Sequence, residues 1–490
     1  MRISAQKLMA LAAALLLVPA LTPRAARAQS NPDNSARNAY AGSVEAIPLT
    51  PGVRPLSLNE AIELGVKHNL ALTLARLDQD TAHAEKLQLL NYLLPNVSLH
   101  GEVGVHQYNL AAQGFGPGLI AQFGIPPSEA ARIPLITRAN TRIGQINFSQ
   151  ALFTWSGWDV WRAAKANEKV AYYGKESALG LVILDVGTSY LKVIAASSEV
   201  DYAQSLLDTD HTLLYQAHQK HLAGVVANLE ELRARVAYQS QQQAVIAAKN
   251  QLEKNKIALN RQIGLAPEQQ IQLTDVAPYS DLTAMPVEEA LRTAYQNRQV
   301  YQGMKQKIIA AEREQRAIKH ERYPSLTFSG NYGVTGVAGL VYHGTFTAMG
   351  TLNIPIFHEA KFRGDADVAE AQVEQLRSQM NDLTTQINQQ VRDSLLDLRS
   401  AQQLVQVSRS NVTLAQTALE QTMERFKAGV DTNLPVAEAQ TTLADAQTEY
   451  VNSVYQYNEA KLGLARNLGV IEGQFKNYLP VEASPGGVAK

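Results

Sequence analysis

The chain has 490 residues, a net charge of −1 and a pI near 6.8, so it offers no overall basic field for nucleic acid. It contains no cysteine, which excludes disulfide staples, thiolate metal centres, thiol nucleophiles and a lipidated N-terminal cysteine. Its length exceeds what one ordinary core requires, so several domains or one elongated, repetitive structure are expected.

In chain order, Arg2 and Lys7 precede an apolar run from Leu8 to Leu21, and Ala26-Arg27-Ala28 supplies a small-x-small cleavage site. Residues 1–28 therefore read as an export signal. After residue 30 no run of about 18 apolar residues is expected, which argues against membrane-spanning helices. Residues 29–55, rich in Asn, Ser, Pro and Gly, read as an extended or mobile lead-in. LSLNEAIELGVKHN then opens a helix, with Ser57 or Asn59 as cap, Glu60 in the first turn, and a rhythm through Leu58, Ile62, Leu70, Leu74 and Leu77 that lasts to Tyr92.

Beyond Pro95 the period changes from about 3.6 to 2. Val97, Leu99, Val103 and Val105 alternate with Ser98, His100, Glu102 and His106. After a loop rich in Gly, Pro and Ala, Ile146, Phe148 and Leu152 alternate with Gln145, Asn147 and Ser149. Strands of about 10 residues are long enough to cross a bilayer when tilted. From Trp155 the helical rhythm returns, and no proline occurs from 135 to 266. A helix from about Asp159 to Leu222 would be on the order of 95 Å long and needs a partner along its length.

That helix ends in HLAGVVANLEELR, which the chain writes again as FKAGVDTNLPVAE. Gly224 and Gly429 stand 205 positions apart, and Val225 with Val430, Asn228 with Asn433 and Leu229 with Leu434 keep the offset. Each glycine should end one helix at positive φ, with a nearby Asn or Asp capping the next. The plan recurs throughout. MPVEEALRTAYQNR echoes the opening helix, and Leu326, Phe328, Tyr332 and Val334 alternate with Thr327, Ser329 and Asn331. Phe346, Ala348 and Leu352 alternate with Thr345, Thr347 and Thr351, and Arg466-x-x-Gly469 repeats the stop at Arg261-x-x-Gly264. The expected units are a first repeat over 56–265, a connector over 266–284, a second repeat over 285–470 and a tail over 471–490. Four strands leave two open edges, which lipid does not tolerate, so several copies must close one barrel.

This layout resembles the TolC-like outer-membrane efflux proteins over roughly residues 55–470. The resemblance is carried by Leu56–Ile62, Leu94-Pro95, Leu152-Phe153, Ile354-Pro355-Ile356-Phe357, both Ala-Gly-Val tips and both Arg-x-x-Gly stops. It implies a mixed α and β membrane protein: a homotrimer with a 12-stranded β-barrel, four strands per chain, in the lipid of the outer membrane of a Gram-negative bacterium. An α-helical coiled-coil barrel would continue it into the periplasm, and each chain would be an internal two-fold repeat. The implied role is a passive exit duct, docked tip first to a periplasmic adaptor protein served by an inner-membrane pump. By the same resemblance Gly224, Val225, Gly429 and Val430 shape the docking tips, while Glu230, Glu438 and Asp431 mark an acidic periplasmic entrance. Phe426, Asp431 and Pro435 depart from residues usual in that family, so the gate contacts of relatives do not carry over.

Other readings compete at particular residues. Trp155, Trp158 and Trp161 are the only tryptophans, and Trp155 is assigned to a membrane-interface belt while the other two read equally as packing aromatics. His211, His218 and His221 share a helix face but lack a fixed further ligand, so no metal is assigned. No nucleophile, base and cleft converge, and neither an enzyme nor a cofactor is expected. The rival functions are a duct for secreted proteins and a pore-less periplasmic coiled-coil scaffold.

Overall fold

The computed structural model describes residues 40–479 except 41, 45–46, 110, 115, 117, 120–121, 125, 131, 133, 276–279, 283–284, 338–340, 429 and 431–432. The export signal, Gly429, Asp431 and the end of the tail lie outside the described residues.

Ser57 caps α1 (Leu58–His68), its hydroxyl accepting from the Glu60 N–H. The expected single opening helix is in fact two. Asn69 leaves the helical region (φ −65°, ψ 134°), ends α1 and caps α2 (Leu70–Asn91) by accepting from the Ala71 N–H. Asn is a poor helix-interior residue because its short amide competes for backbone groups, and here it does so. Leu74 and Leu77, part of the apolar rhythm, are exposed. Strands β2 (Asn96–Asn109) and β3 (Ile136–Phe153) follow, then α3 (Trp155–Leu222) and α4 (Asn228–Ile263). The second half gives α5 (Val287–Asn297), α6 (Gln299–His320), β5 (Ser325–Val337), β6 (His343–Asn353), α7 (Glu359–Lys427), α8 (Asn433–Leu468) and α9 (Ile471–Tyr478).

The 68-residue α3 and 69-residue α7 are each about 100 Å long. Neither could persist alone at that length, and each is partnered in two stages. The 36-residue α4 packs on α3 and the 36-residue α8 on α7 beyond the middle of the molecule. Nearer the strands, α2 and α6 take over: Lys86 and His83 of α2 meet Glu168 of α3, and Arg313 of α6 meets buried Asp159 of α3. Part of α3 is apolar enough by mean hydropathy to cross a membrane, although Asp185 and Lys192 interrupt its apolar run, and 56% of that window is buried. It is a core helix here.

Between those stages lies the main core, where Leu56, Val182, Val186, Tyr190, Leu259, Ile263, Ile387, Val391, Tyr457, Leu462, Leu468 and Ile471 are almost fully buried. Two short strands missed in the sequence, β1 (Arg54–Leu56) and β4 (Ile271–Leu273), pair in parallel across this core. Three residues are too few for a period to register. The Tyr190 hydroxyl shares its one proton between Leu56 O at 2.9 Å and Asp275 Oδ2 at 2.8 Å, and Asp275 also accepts from the Leu58 N–H. The described part of the lead-in is pinned rather than mobile: Ile47 N–H reaches Gly264 O and Val44 N–H reaches His68 O. The connector is anchored too. Tyr457 Oη and Lys461 Nζ donate to Ser280 O at 3.2 and 3.4 Å, and the fully buried Lys461 has its ammonium 4.7 Å from the Tyr457 ring. Burial pulls the Lys461 amine down to about 8.

Candidate functional site: the strand sheet and the helical tips

Strands β2, β3, β5 and β6 form one antiparallel sheet in the order β2-β3-β5-β6. Residues directly opposite in antiparallel strands point to the same side, so the register defines the two faces. One row runs Leu99, Ile146, Tyr332, Phe346, with exposures of 82, 50, 71 and 77%. The next residue along each strand gives the other face: Ser98, Asn147, Asn331, Thr347. One side of the sheet is thus an apolar surface in solvent, the other polar, and β2 and β6 each keep an unpaired edge within the sheet. At the exit from β3, Trp155 is half exposed and meets Phe153 edge-on at 5.2 Å. Trp158 packs edge-on against Trp161 at 5.8 Å. Ile356 and Phe357, just beyond β6, are almost fully exposed.

The far ends of the helices form two tips. At Gly224 (φ 72°) the Val225 N–H bonds back to Lys220 O and the Gly224 N–H to His221 O, a closure that requires the left-handed residue. At the second tip the Val430 N–H bonds to Arg425 O in the same pattern. The capping expectation is corrected at the first tip. The cap of α4 is Ala227, without a side-chain bond, and Asn228 is already helical. Val225 and Val430 stand exposed at the apices, beside exposed Leu222, Leu229 and Leu434.

Behind the apices the hairpins are joined. Phe426 is 3% exposed in a second core with Leu206, Leu213, Leu419, Val436 and Leu443. Lys220 of α3 donates to Phe426 O at 3.0 Å and places its ammonium 4.1 Å from the Phe426 ring centre. Sequence reasoning missed this contact. Its signal was a basic residue at the same place in the last turn before both glycines, Lys220 and Arg425, where the helix carbonyls favour a cation.

Glu230 pairs with Arg233 at 2.9 Å, and Glu438 is exposed on α8. A further acid at the first tip, Glu231, is buried and held by His218 at 3.1 Å and Arg235 at 3.0 Å. Asp210 is also buried there, and burial raises its carboxyl above the usual range. His211, His218 and His221 are not brought together: they meet Tyr238, Glu231 and Val226 O respectively. Among the described residues no His or carboxylate group forms a ready metal centre.

A family model described as outer membrane efflux protein matches residues 61–265 and 290–470. Outer membrane protein TolC of Escherichia coli is 23% identical over 378 residues, covering 72% of this chain and 75% of that protein. Pyoverdine export outer membrane protein OpmQ of Pseudomonas aeruginosa is 24% identical over 319 residues, covering 64% and 67%. Among solved structures, the CmeC outer membrane channel of Campylobacter jejuni matches with a TM-score of 0.70 at 18% identity, covering 84% of this chain and 85% of that one. The outer membrane protein VceC of Vibrio cholerae matches with a TM-score of 0.68 at 17% identity, covering 84% and 96%. At these identities the structural matches speak for the fold.

Proposed function

The chain belongs to the outer membrane efflux protein family, and from that premise we propose that it is the passive exit duct of a tripartite efflux system for small molecules. The family places it in the outer membrane as an efflux channel, a protein of transport rather than catalysis. The finer reading rests on one observation: a four-stranded sheet with an exposed apolar row on one face and two unpaired edges, mounted on helices about 100 Å long. Unpaired backbone groups are not tolerated in hydrocarbon, so the edges must be satisfied by other copies of the chain. Three copies, joined β6 to β2, give 12 strands with the apolar face toward lipid and the polar face around water.

In this arrangement α3, α4, α7 and α8 enclose a periplasmic tunnel, and Trp155 sits at the membrane interface. The tips at Gly224, Val225, Gly429 and Val430 engage an adaptor that links to an inner-membrane pump, which supplies the energy. Glu230, Glu438 and Asp431 lend negative charge to the entrance.

Detergent-purified mature protein should have the mass of a trimer and show a small, cation-preferring conductance in a planar bilayer. A protein that stays in the aqueous fraction as a soluble, non-conducting species would overturn the barrel. Replacing Glu230 and Glu438 with Gln should weaken the cation preference; an unchanged preference would place the acidic constriction elsewhere.

A further inference from the structure

The polar face of the sheet has an unusual inventory of charge. Glu102 is the one carboxylate in the four strands of the sheet. The register puts it in a row with Ile143, Thr335 and His343, and strand alternation adds His100, His106 and Tyr108 to the same face. β3 faces this group with Gln145, Ile143, Thr141 and Ala139, and β5 contributes Gly333 and Thr335. The strand arginines, Arg138 and Arg142, stand opposite Gln107 and Val103 and so belong to the other face. Apart from Tyr108, every titratable side chain beside Glu102 on this face is therefore an imidazole.

The imidazoles also converge on it. His100 Nε2 lies 3.4 Å from Glu102 Oε2, and His106 Nε2 lies 3.7 Å from Glu102 Oε1. His106 is four residues along the strand, about 13 Å in backbone distance, so its ring must lean across the intervening position. That position is Gly104, where a Cβ would fall 2.8 Å from His106 Nε2 and 3.4 Å from Glu102 Oε1. The absent side chain gives the ring its place.

We infer that this face is a proton-responsive selectivity filter for the ions and charged solutes that pass the barrel. The inference rests on the proposed reading that the polar face lines the lumen. With neutral imidazoles the face carries one negative charge per chain, from Glu102. Imidazoles in general take up a proton near about pH 6.5, and with His100, His106 and His343 protonated the face carries two positive charges per chain. The wall thus changes sign over the range in which the outside of a bacterium can acidify, from attracting cations to attracting anions. This control is separate from the tip acids, which lie at the far end of the helices.

The cysteine-free chain gives a clean test. Ser98→Cys places one thiol on the polar face, two residues or about 7 Å from His100. Its modification rates with a cationic and an anionic methanethiosulfonate are compared in proteoliposomes. Their ratio reports the local potential and cancels the thiolate fraction, and no open gate is needed. The cation-to-anion ratio should fall at least about fivefold between pH 7.5 and 5.0. In the His100→Gln/His106→Gln/His343→Gln background it should stay within about twofold, and Glu102→Gln should lower it already at pH 7.5. A ratio that ignores pH in the parent, or changes equally in the triple variant, overturns the filter. Placement is read separately with an uncharged reagent: Ser98→Cys should react and Leu99→Cys should be shielded by lipid. The reverse pattern overturns the lumen reading itself.

Discussion

At the scale of single residues, two lysines hold places where their charge has a measurable cost or use. Lys220 ties one hairpin to the other through the Phe426 carbonyl and ring. Lys220→Met keeps the stem and removes the cation, with an expected loss of about 1–2 kcal/mol from the joined tips. If the tips part during opening, the closed-to-open ratio should fall about five- to thirtyfold, seen as more frequent openings in single-channel records. Unchanged gating would mean the contact only packs the bundle. Lys461 differs because it is fully buried and its amine lies near 8 in the folded protein, against 10.5 as its ordinary value. Between those two values the unfolded chain holds a proton that the folded chain has released, so stability rises with pH across that window. Below about 8 both states hold the proton and the penalty of the buried charge is complete. Lys461→Met should therefore raise thermal stability at pH 7 and flatten the rise from pH 8 to 10.5. A variant that is less stable at pH 7 would show that the tie to Ser280 outweighs desolvation.

At the scale of elements, glycines that end helices differ by what surrounds them. Gly224 and Gly469 share a φ of 72°. Around Gly224 a Cβ would meet nothing within 4 Å, so Gly224→Ala should cost only the left-handed strain, about 1–2 kcal/mol. At Gly469 the Cβ would fall 2.6 Å from the Arg298 backbone N and Cα, so α8 and the α5–α6 junction would have to separate. Gly469→Ala should cost at least about 2 kcal/mol more than Gly224→Ala in thermal unfolding. Equal effects would refute the close-approach reading. The elements themselves were largely legible, because each long helix and strand repeats its period many times over. Val97 to Val105 needed only alternation to be read, and the Ala-Gly-Val tips announced their turns. What stayed hidden depended on single side chains or on distant partners. Asn69 breaks a helix by one amide, β1 and β4 pair across 217 positions of sequence, and Lys220 finds Phe426 only once two hairpins are packed. The pairing of Glu231 with His218 stayed hidden as well, since it joins residues on either side of the first tip that meet only once the hairpin has formed.

At the scale of the whole molecule, the apolar row Leu99, Ile146, Tyr332 and Phe346 is left exposed among the described residues and suits hydrocarbon. Phe346→Arg should cost about 2–4 kcal/mol if this row lies near the bilayer midplane, and should reduce membrane-assembled protein. Assembly at the level of the parent would turn that face away from lipid. The uninterrupted course of α3 has a further, mechanical consequence. From Tyr190 in the main core to Leu222 at the tip, the helix runs 32 residues, or about 48 Å, without a proline. Such a rod has no joint of its own and behaves as a lever with its fulcrum in the core. A swing of about 5° there carries the apex roughly 4 Å sideways, so modest repacking around Tyr190 is geared into a displacement at Val225 wider than a water molecule.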